Sequence, residues 1–465
     1  MKFCVQFYNL IMKKSLFLIL LVFVPILFFS CSDNLTQNTQ PNVIILFADD
    51  LGYGDLSCYG HPTIRTPNLD DLAHNGVRFT SFYVPTPVCG PSRSALLTGR
   101  YPPRCGMPGN IGPDTEYGLP LEEITMANVL KDAGYQTMHI GKWHLGDYQP
   151  EYMPTSRGFD HYFGLLYSND MIRPWVQTDT PLELMQDDKP IEDTVLQEFL
   201  TVRYTEKALK FIDVNHENPF FLYLAYSMPH LPINTTEDFK GKSTAGLYGD
   251  VIQTIDWSAG QIISKLQELG IDQNTMVVFT SDNGPWLYLP DRMLQGGNEW
   301  WHVGSPGLLH GAKGTTYEGG NRVPGIISWP GKIEGGKVIH HPASTVDLFP
   351  TIAHATGSKI PDDRKYDGRD ILSALTGESE FPEFEFFYFR GRRVEAIRKG
   401  EWKLRMSRHL RNDVEEGIPL TPELFNLNRD PSERYNVADQ HPELVEELME
   451  KMKQMADELE ISIQN

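Results

Sequence analysis

Residues 42–48, NVIILFA, form a near-continuous apolar run, the pattern of a strand buried on both faces, and the run stops abruptly at Asp49-Asp50. The segments 219–227 (PFFLYLAYS) and 275–281 (TMVVFTS) have the same texture, with a helical pattern over 247–269 between them. In TPNLDDLAHNG, residues 66–76, Thr66 reads as an N-cap, Pro67 as the first helical residue and Gly76 as the terminator. A helix over 125–133, closed by Gly134, leads into the strand YQTMHI at 135–140. Strands alternating with helices predict an α/β fold, a large and mostly parallel sheet with helices on both faces. After about Gly377 the texture changes. FEFFYFRG, VEAIRKGEWKLRM and ELFNLNRD read as short antiparallel strands, and the acidic amphipathic segment 442–459 as one closing helix. The chain thus divides into a large domain over 41–377 and a smaller α+β subdomain over 378–465 with a short antiparallel sheet.

The N-terminus is patterned differently. Lys13-Lys14 precede an apolar run over 16–29 broken only by Pro25, too short for a comfortable membrane span and suited to the h-region of a signal peptide. The run ends at FFSC. Residues 1–31 therefore resemble a bacterial lipoprotein signal with Cys31 as the lipidated first residue, and the polar stretch over 32–40 reads as a flexible tether. Phe28 and Phe29 are bulkier than that pattern prefers, which leaves ordinary secretion and an uncleaved anchor as alternatives. The expected location is the bacterial periplasm or the outer membrane, with a lipid anchor at Cys31.

Composition changes this picture at two points. The 465 residues carry 41 basic and 61 acidic side chains, a net charge of −20, which excludes nucleic acid or an anionic membrane held by a general field. An anionic ligand has to be captured by a local cluster of cations. Beyond the leader only Cys58, Cys89 and Cys105 remain, too few for a disulfide framework. In an oxidising compartment Cys58 and Cys105 are able to pair, which makes Cys89 the odd one out.

Ligands of open α/β sheets bind outside the carboxyl ends of the strands, and polar pairs gather there in this chain. Asp49-Asp50 follow one apolar strand and Asp282-Asn283 another. Three carboxylates and an amide are a hard oxygen set suited to Ca²⁺ or Mg²⁺, although such pairs also serve as turn chemistry. GKWHLG supplies Lys142 and His144 directly after a strand, MPHLP supplies His230, and the glycine-rich GAKGTTYEGG supplies Lys313. Taken one at a time these are solvated lysines or structural histidines; together they make a ring of cations on the rim that carries the carboxylates. PVCGPSRSALLTGR places Cys89 just before a short helix starting at Pro91-Ser92 and stopped by Gly99. A helix N-terminus favours an anion and lowers a thiol pKa, so a cysteine nucleophile is one reading and a buried structural cysteine the other. A thiolate beside a hard metal is a poor chemical match, which points to a functional group other than a thiol.

CGPSRSALLTGR resembles the sulfatase signature, Cys-x-Pro-Ser-Arg followed by Leu and Thr-Gly-Arg, at every defining position. FADDLGYGD, GKWHLG, SMPHLP, FTSDNGP and KGTTYEGG match further motifs of that family in order. From Asn42 onward the chain is similar to the type I, formylglycine-dependent sulfatases, in the arylsulfatase and N-acetylgalactosamine-6-sulfatase branch. The resemblance implies an alkaline-phosphatase-like sandwich and a sulfuric ester hydrolase. It implies one Ca²⁺ held by Asp49, Asp50, Asp282 and Asn283, with Cys89 also touching it. Cys89 would be converted by a maturase to 3-oxoalanine (formylglycine), whose hydrate is an oxygen nucleophile. Arg93 would hold that hydrate, while Lys142, Lys313 and His230 grip the sulfate. Asp282 would take the attacking proton, His230 or Lys313 would protonate the leaving oxygen, and His144 would act on the second hydroxyl.

The leaving alcohol is read from the segment 284–313 between two motifs. Trp286, Tyr288, Trp300, Trp301, His302 and Arg292 give it aromatic faces and polar tips that suit a sugar ring, or the packing of a long loop. The expected partner is a sulfated glycan or glycosaminoglycan fragment. Small aryl sulfates, and phosphate or phosphonate esters as substrates of a related hydrolase, are the alternatives, and a glycan-binding lipoprotein without catalysis is the non-enzyme one.

Overall fold

The computed structural model describes residues 40–406 and 421–463. The segment read as a signal peptide, and all of the stretch read as a tether but Gln40, lie outside the described residues. Among the described residues no helix is long and apolar enough to cross a membrane. The large sheet contains eleven strands: β1 (Asn42–Ala48), β2 (Val77–Tyr83), β3 (Gln136–Gly141), β4 (His161–Leu165), β5 (Leu184–Gln186), β6 (Lys189–Glu192), β7 (Phe220–Ala225), β8 (Thr275–Ser281), β9 (Arg322–Ser328), β10 (Lys337–Ile339) and β11 (Ala343–Ser344). Their order is β10-β2-β9-β8-β1-β7-β3-β4-β5-β6, with β11 beside β2. β1 lies between β7 and β8 and runs parallel to both, in the register Phe47 to Ala225 and Ala48 to Ser281. That register brings the residues following β1 and β8 to the same edge. The mostly parallel sheet expected from the pattern is present, but β9 runs antiparallel between β8 and β2, and β5 and β6 close the far edge antiparallel.

Alternate residues of β1 feed two cores, which is why the run is apolar throughout. Val43, Ile45 and Phe47 pack with Leu96, Leu130 and Phe349 on one face of the sheet. Ile44, Leu46 and Ala48 pack with Leu69, Tyr204 and Ile255 on the other. The helices that supply these contacts include Met126–Asp132, where Thr125 and Asn128 form a capping box, and Gly246–Glu268. A second, four-stranded antiparallel sheet follows: β12 (Glu385–Phe389), β13 (Val394–Lys399), β14 (Trp402–Arg405) and β15 (Glu423–Asn426). The closing helix Pro442–Glu458 covers it with Leu448, Met452 and Ala456, and Tyr83, Tyr101 and Val346 of the large sheet's side share that core.

Four local expectations are corrected. The helix Pro67–His74 begins at Pro67 as read, but the Thr66 hydroxyl does not cap it. That oxygen accepts from Ser57 N (3.0 Å) and donates to Asp70 (3.1 Å), so local partners outcompete the helix amides. The helix closes on Asn75, and Gly76 is needed for space: a Cβ there would sit 2.4 Å from Ile327 O. The second motif helix is Cys89–Thr98, so Cys89 is its first residue rather than the residue before it. Pro91 sits within the first turn, where an absent N–H breaks no helical bond. Finally, Cys58, Cys89 and Cys105 are all free thiols. Cys105 belongs to the core on one face of the sheet and Cys58 packs against the other, so the pair cannot bridge.

Candidate active site

The edge formed by the carboxyl ends of β1, β8, β7 and β3 collects ten of the predicted residues. Asp49 and Asp50 leave β1, and the Asp50 N–H donates to Asp282 Oδ1 (3.0 Å) just after β8. Asn283 Nδ2 donates to Asp50 Oδ1 (2.7 Å). Gly141 ends β3 with φ 100°, and a Cβ there would lie 1.7 Å from Ala225 O; only glycine turns the chain here. Lys142 then hydrogen-bonds Asp49 Oδ2 at 2.7 Å. The Lys313 ammonium bonds both oxygens of Asp50, at 2.7 and 2.9 Å. Arg93, the fifth residue of the Cys89 helix, binds Asp282 Oδ2 through two nitrogens (2.7 and 3.2 Å) and the Lys142 carbonyl (3.1 Å). Ligand atoms of Asp49, Asp50, Cys89 and His230 all lie within 4.8 Å of one another. Asp50 and His144 have φ of 65° and 62°, left-handed backbone that non-glycine residues adopt at a cost and that concentrates at functional sites.

Three buried carboxylates face three permanent cations here, and the balance differs at each. Burial works against ionisation of Asp49, but Lys142, Arg93 and Lys313 outweigh it and hold its carboxyl below the usual range. Burial, with the repulsion of Asp49 and Asp282, lifts Asp50 to about 6 despite Lys313. Burial pushes the Cys89 thiol up to about 12. The thiolate that a helix N-terminus was expected to favour is therefore not available: desolvation exceeds the help of the dipole and the lysines. Burial and the neighbouring lysines keep His144 and His230 neutral, well below the ordinary histidine value. His144 Nε2 lies 2.9 Å from Ile111 O, so Nε2 carries the proton and Nδ1, buried and without a partner, is left as an acceptor.

The predicted substrate contacts separate. Trp286 belongs to the site: the Lys313 ammonium sits 4.5 Å from its ring centroid and the His230 ring 5.3 Å away. His302 lines a narrow cleft with Asp50 and Trp286. Arg292 stands behind Trp286 and bonds the Trp175 carbonyl (2.8 Å), one layer out. Trp301 and Trp300 are 70% and 55% exposed, and the Trp301 ring lies 6.4 Å from that of His302. A cavity of about 710 Å³ at the opposite end of the strands, lined by His74, Thr275 and Ser328, holds none of these groups.

Ser168 was not foreseen. Its hydroxyl, 1% exposed, lies 3.3 Å from Lys142 Nζ and 3.3 Å from both ring nitrogens of His230. It follows β4, which pairs parallel with β3, so the same rule about strand ends finds it once LLYSND is read as a strand exit. Ser168→Ala is expected to lower turnover about tenfold, the loss of roughly one buried hydrogen bond to the charged Lys142, with the thermal midpoint nearly unchanged. Steady-state kinetics beside a melting curve check both.

An α/β sheet whose rim assembles a cysteine at a helix start, an oxygen donor set and a ring of cations defines an ester hydrolase acting on a tetrahedral oxyanion. Residues 41–358 match the Sulfatase family, and residues 310–460 match the C-terminal part of N-sulphoglucosamine sulphohydrolase. Arylsulfatase A of Bos taurus is 39% identical, covering 90% of this chain and 88% of its own. N-acetylgalactosamine-6-sulfatase of Rattus norvegicus is 37% identical over 85% and 81%. A solved sulfatase structure described with the metabolism of multiple glycosaminoglycans by Bacteroides thetaiotaomicron superposes with a TM-score of 0.79 and 29% identity, covering 90% of this chain and all of that one. The chain belongs to the sulfatase family and is a sulfuric ester hydrolase.

Proposed function

We propose that this enzyme hydrolyses a sulfate monoester on a carbohydrate, using Cys89 converted to formylglycine and a Ca²⁺ ion at Asp49, Asp50, Asp282 and Asn283. The observation that carries the reading is the convergence of Cys89, Arg93, Lys142, His230 and Lys313 on one buried rim of a protein with net charge −20. The donor set fits a hard cation: the oxygens Asp49 Oδ1 and Asn283 Oδ1 are buried and accept no hydrogen bond. Bound there, Ca²⁺ would polarise a sulfate oxygen and make a hydroxyl at position 89 easier to deprotonate. The formylglycine hydrate would supply that hydroxyl and a second one beside it.

The chain's own groups do the rest. Lys142, Lys313 and His230 hold the sulfate oxygens and stabilise charge that builds on them during attack, each typically worth about 3–4 kcal/mol. Asp282, fixed by Arg93, takes the first proton. Lys313, or His230 once a bound sulfate has drawn a proton onto it, gives one to the leaving oxygen, and His144, with Nδ1 free to accept, removes the last. The domains 41–377 and 378–465 then divide into a catalytic part and a supporting part, and export with Cys31 lipidated suits an enzyme that meets extracellular glycans.

The glycan reading draws support from the Bacteroides structure, from the N-acetylgalactosamine-6-sulfatase relative and from the aromatic rim. The arylsulfatase A relative favours small aryl sulfates as the second reading. Sulfated oligosaccharides, 4-nitrophenyl sulfate and 4-nitrophenyl phosphate compared by kcat/KM separate the three classes. Sulfated oligosaccharides are expected to be turned over best, and Trp301→Ala to raise their KM several-fold while leaving 4-nitrophenyl sulfate unchanged, as for a lost stacking contact. Equal losses on both substrates, or preferred cleavage of the phosphate, would sink it. Chelation by EDTA is expected to abolish turnover and added Ca²⁺ to restore it.

A further inference from the structure

Resting on the reading of Lys313 as a sulfate-binding cation, we infer that the four-stranded C-terminal sheet is a positioning element for that lysine. It acts mainly through Arg405 on residues 316–318. Arg405 ends β14 and is buried, with its guanidinium 3.7 Å from the centroid of the Tyr317 ring. Its Nε donates to the Thr316 hydroxyl (3.2 Å) and its Nη1 to Glu423 Oε2 (2.5 Å), and Glu423 in turn accepts from the Tyr317 phenol (3.2 Å). The Thr316 hydroxyl donates onward to Glu395 of β13 (3.0 Å). The next residue, Glu318, is held by Lys403 of β14 (3.0 Å), and its N–H donates to Glu433 (2.6 Å).

Three consecutive residues, the first only three positions after Lys313, are thus each gripped by charged side chains of the second sheet. Nearer the lysine the loop is fixed by backbone bonds, Lys313 N to Pro285 O (3.0 Å) and Gly314 N to Pro87 O (2.9 Å). The choice of charges is informative. The two sheets already share an apolar core around Tyr83, Tyr101 and Val346, and burying a guanidinium is unfavourable unless its bonds are directional and complete. A planar fork stacked on Tyr317 and bonded to Thr316 specifies one register of the loop, which an apolar contact would not. Displacing a sulfate-binding cation by about 1 Å is enough to cost up to 10²-fold in rate. Arg405 touches no reacting atom and is a positioning residue.

The test is a cycle on the full-length, Ca²⁺-loaded protein, with inorganic sulfate as the probe and its affinity measured by calorimetry. Arg405→Gln is expected to weaken sulfate binding about 3- to 10-fold in the native background and less than about twofold in a Lys313→Ala background, because the coupled residue is then gone. Arg405→Lys, which keeps the charge and loses the planar stack, falls between. Equal losses in both backgrounds, or no loss in either, overturn the proposal, since a merely structural residue acts regardless of Lys313. Native sulfate affinity in Lys313→Ala alone would instead overturn the reading of that lysine, and the proposal with it. Should Arg405→Gln fail to fold, Glu423→Gln, a 27% exposed carboxylate on the same Arg405 fork, reads the same coupling.

Discussion

Cys89→Ser is expected to fold like the native protein and to lose at least about 10⁴-fold in turnover, comparable to removing other enzymic nucleophiles. The side chain is buried at the first position of its helix, where serine is well tolerated and differs from cysteine by one atom, so the thermal midpoint should move little. The loss has a chemical cause. A serine hydroxyl can accept a sulfuryl group but carries no second hydroxyl whose deprotonation expels it, so at most one turnover is completed. An unmodified cysteine does no better, because burial holds its thiol near 12 and leaves almost none of it ionised at neutral pH. Peptide mass spectrometry of the segment containing Cys89, from active native protein, should find CHO in place of CH₂SH. An unmodified thiol in active protein, or steady multiple turnover by Cys89→Ser, would falsify the formylglycine assignment.

Much of the site is legible from strand ends. Asp49-Asp50 and Asp282-Asn283 terminate apolar runs, and because β1 and β8 are parallel neighbours in the register Ala48 to Ser281, runs that end alike in sequence end together in space. Lys142 and His230 follow β3 and β7 for the same reason. What the pattern does not reveal is what depends on long-range partners. β9 is buried throughout, like the parallel strands β1, β7 and β8, and its reversed direction leaves no mark in the sequence. Thr66 carries a capping side chain whose bonds are taken by Ser57, brought to it by the chain before the helix, and by Asp70 in the helix's own first turn. Ser168 lies past a five-residue strand too short for its pattern to stand out.

The charged residues of the second sheet are the clearest failure of local reading. VEAIRKGEWKLRM reads as antiparallel strand, but nothing in it tells that Arg398, Lys403 and Arg405 are buried against the large sheet's side. A sequence records that a residue is charged, not that its counter-charge waits 85 positions away, as Glu318 does for Lys403. The same juxtaposition makes this sheet integral to the catalytic body, since it meets the loop that carries Lys313.

Lys403→Met is therefore expected to be the most damaging change to stability, about 3–5 kcal/mol, as when one partner of a buried ion network is removed. Lys403 is fully buried between Glu318 (3.0 Å) and Glu433 (2.9 Å), its ammonium 4.4 Å from the Tyr388 ring centroid. Methionine fills the space but leaves two buried carboxylates facing each other. In the native protein burial works against ionising Glu318, yet Lys403 with Arg322 and Arg398 holds it down at about 2, whereas burial and repulsion from Glu318 lift Glu433 to about 7. The signs then follow. A raised carboxyl stabilises the fold fully below its unfolded value, and that contribution is lost as pH rises through the folded one; a lowered carboxyl behaves oppositely. Without the ammonium Glu433 has lost its main counter-charge and Glu318 one of three, so the variant should lose stability as pH rises from about 5 to about 8, more steeply than the native protein. Urea unfolding at both pH values measures the difference. A penalty independent of pH would mean that the carboxylates are solvated on removal of the lysine, and that the network is a packing contact with incidental charges.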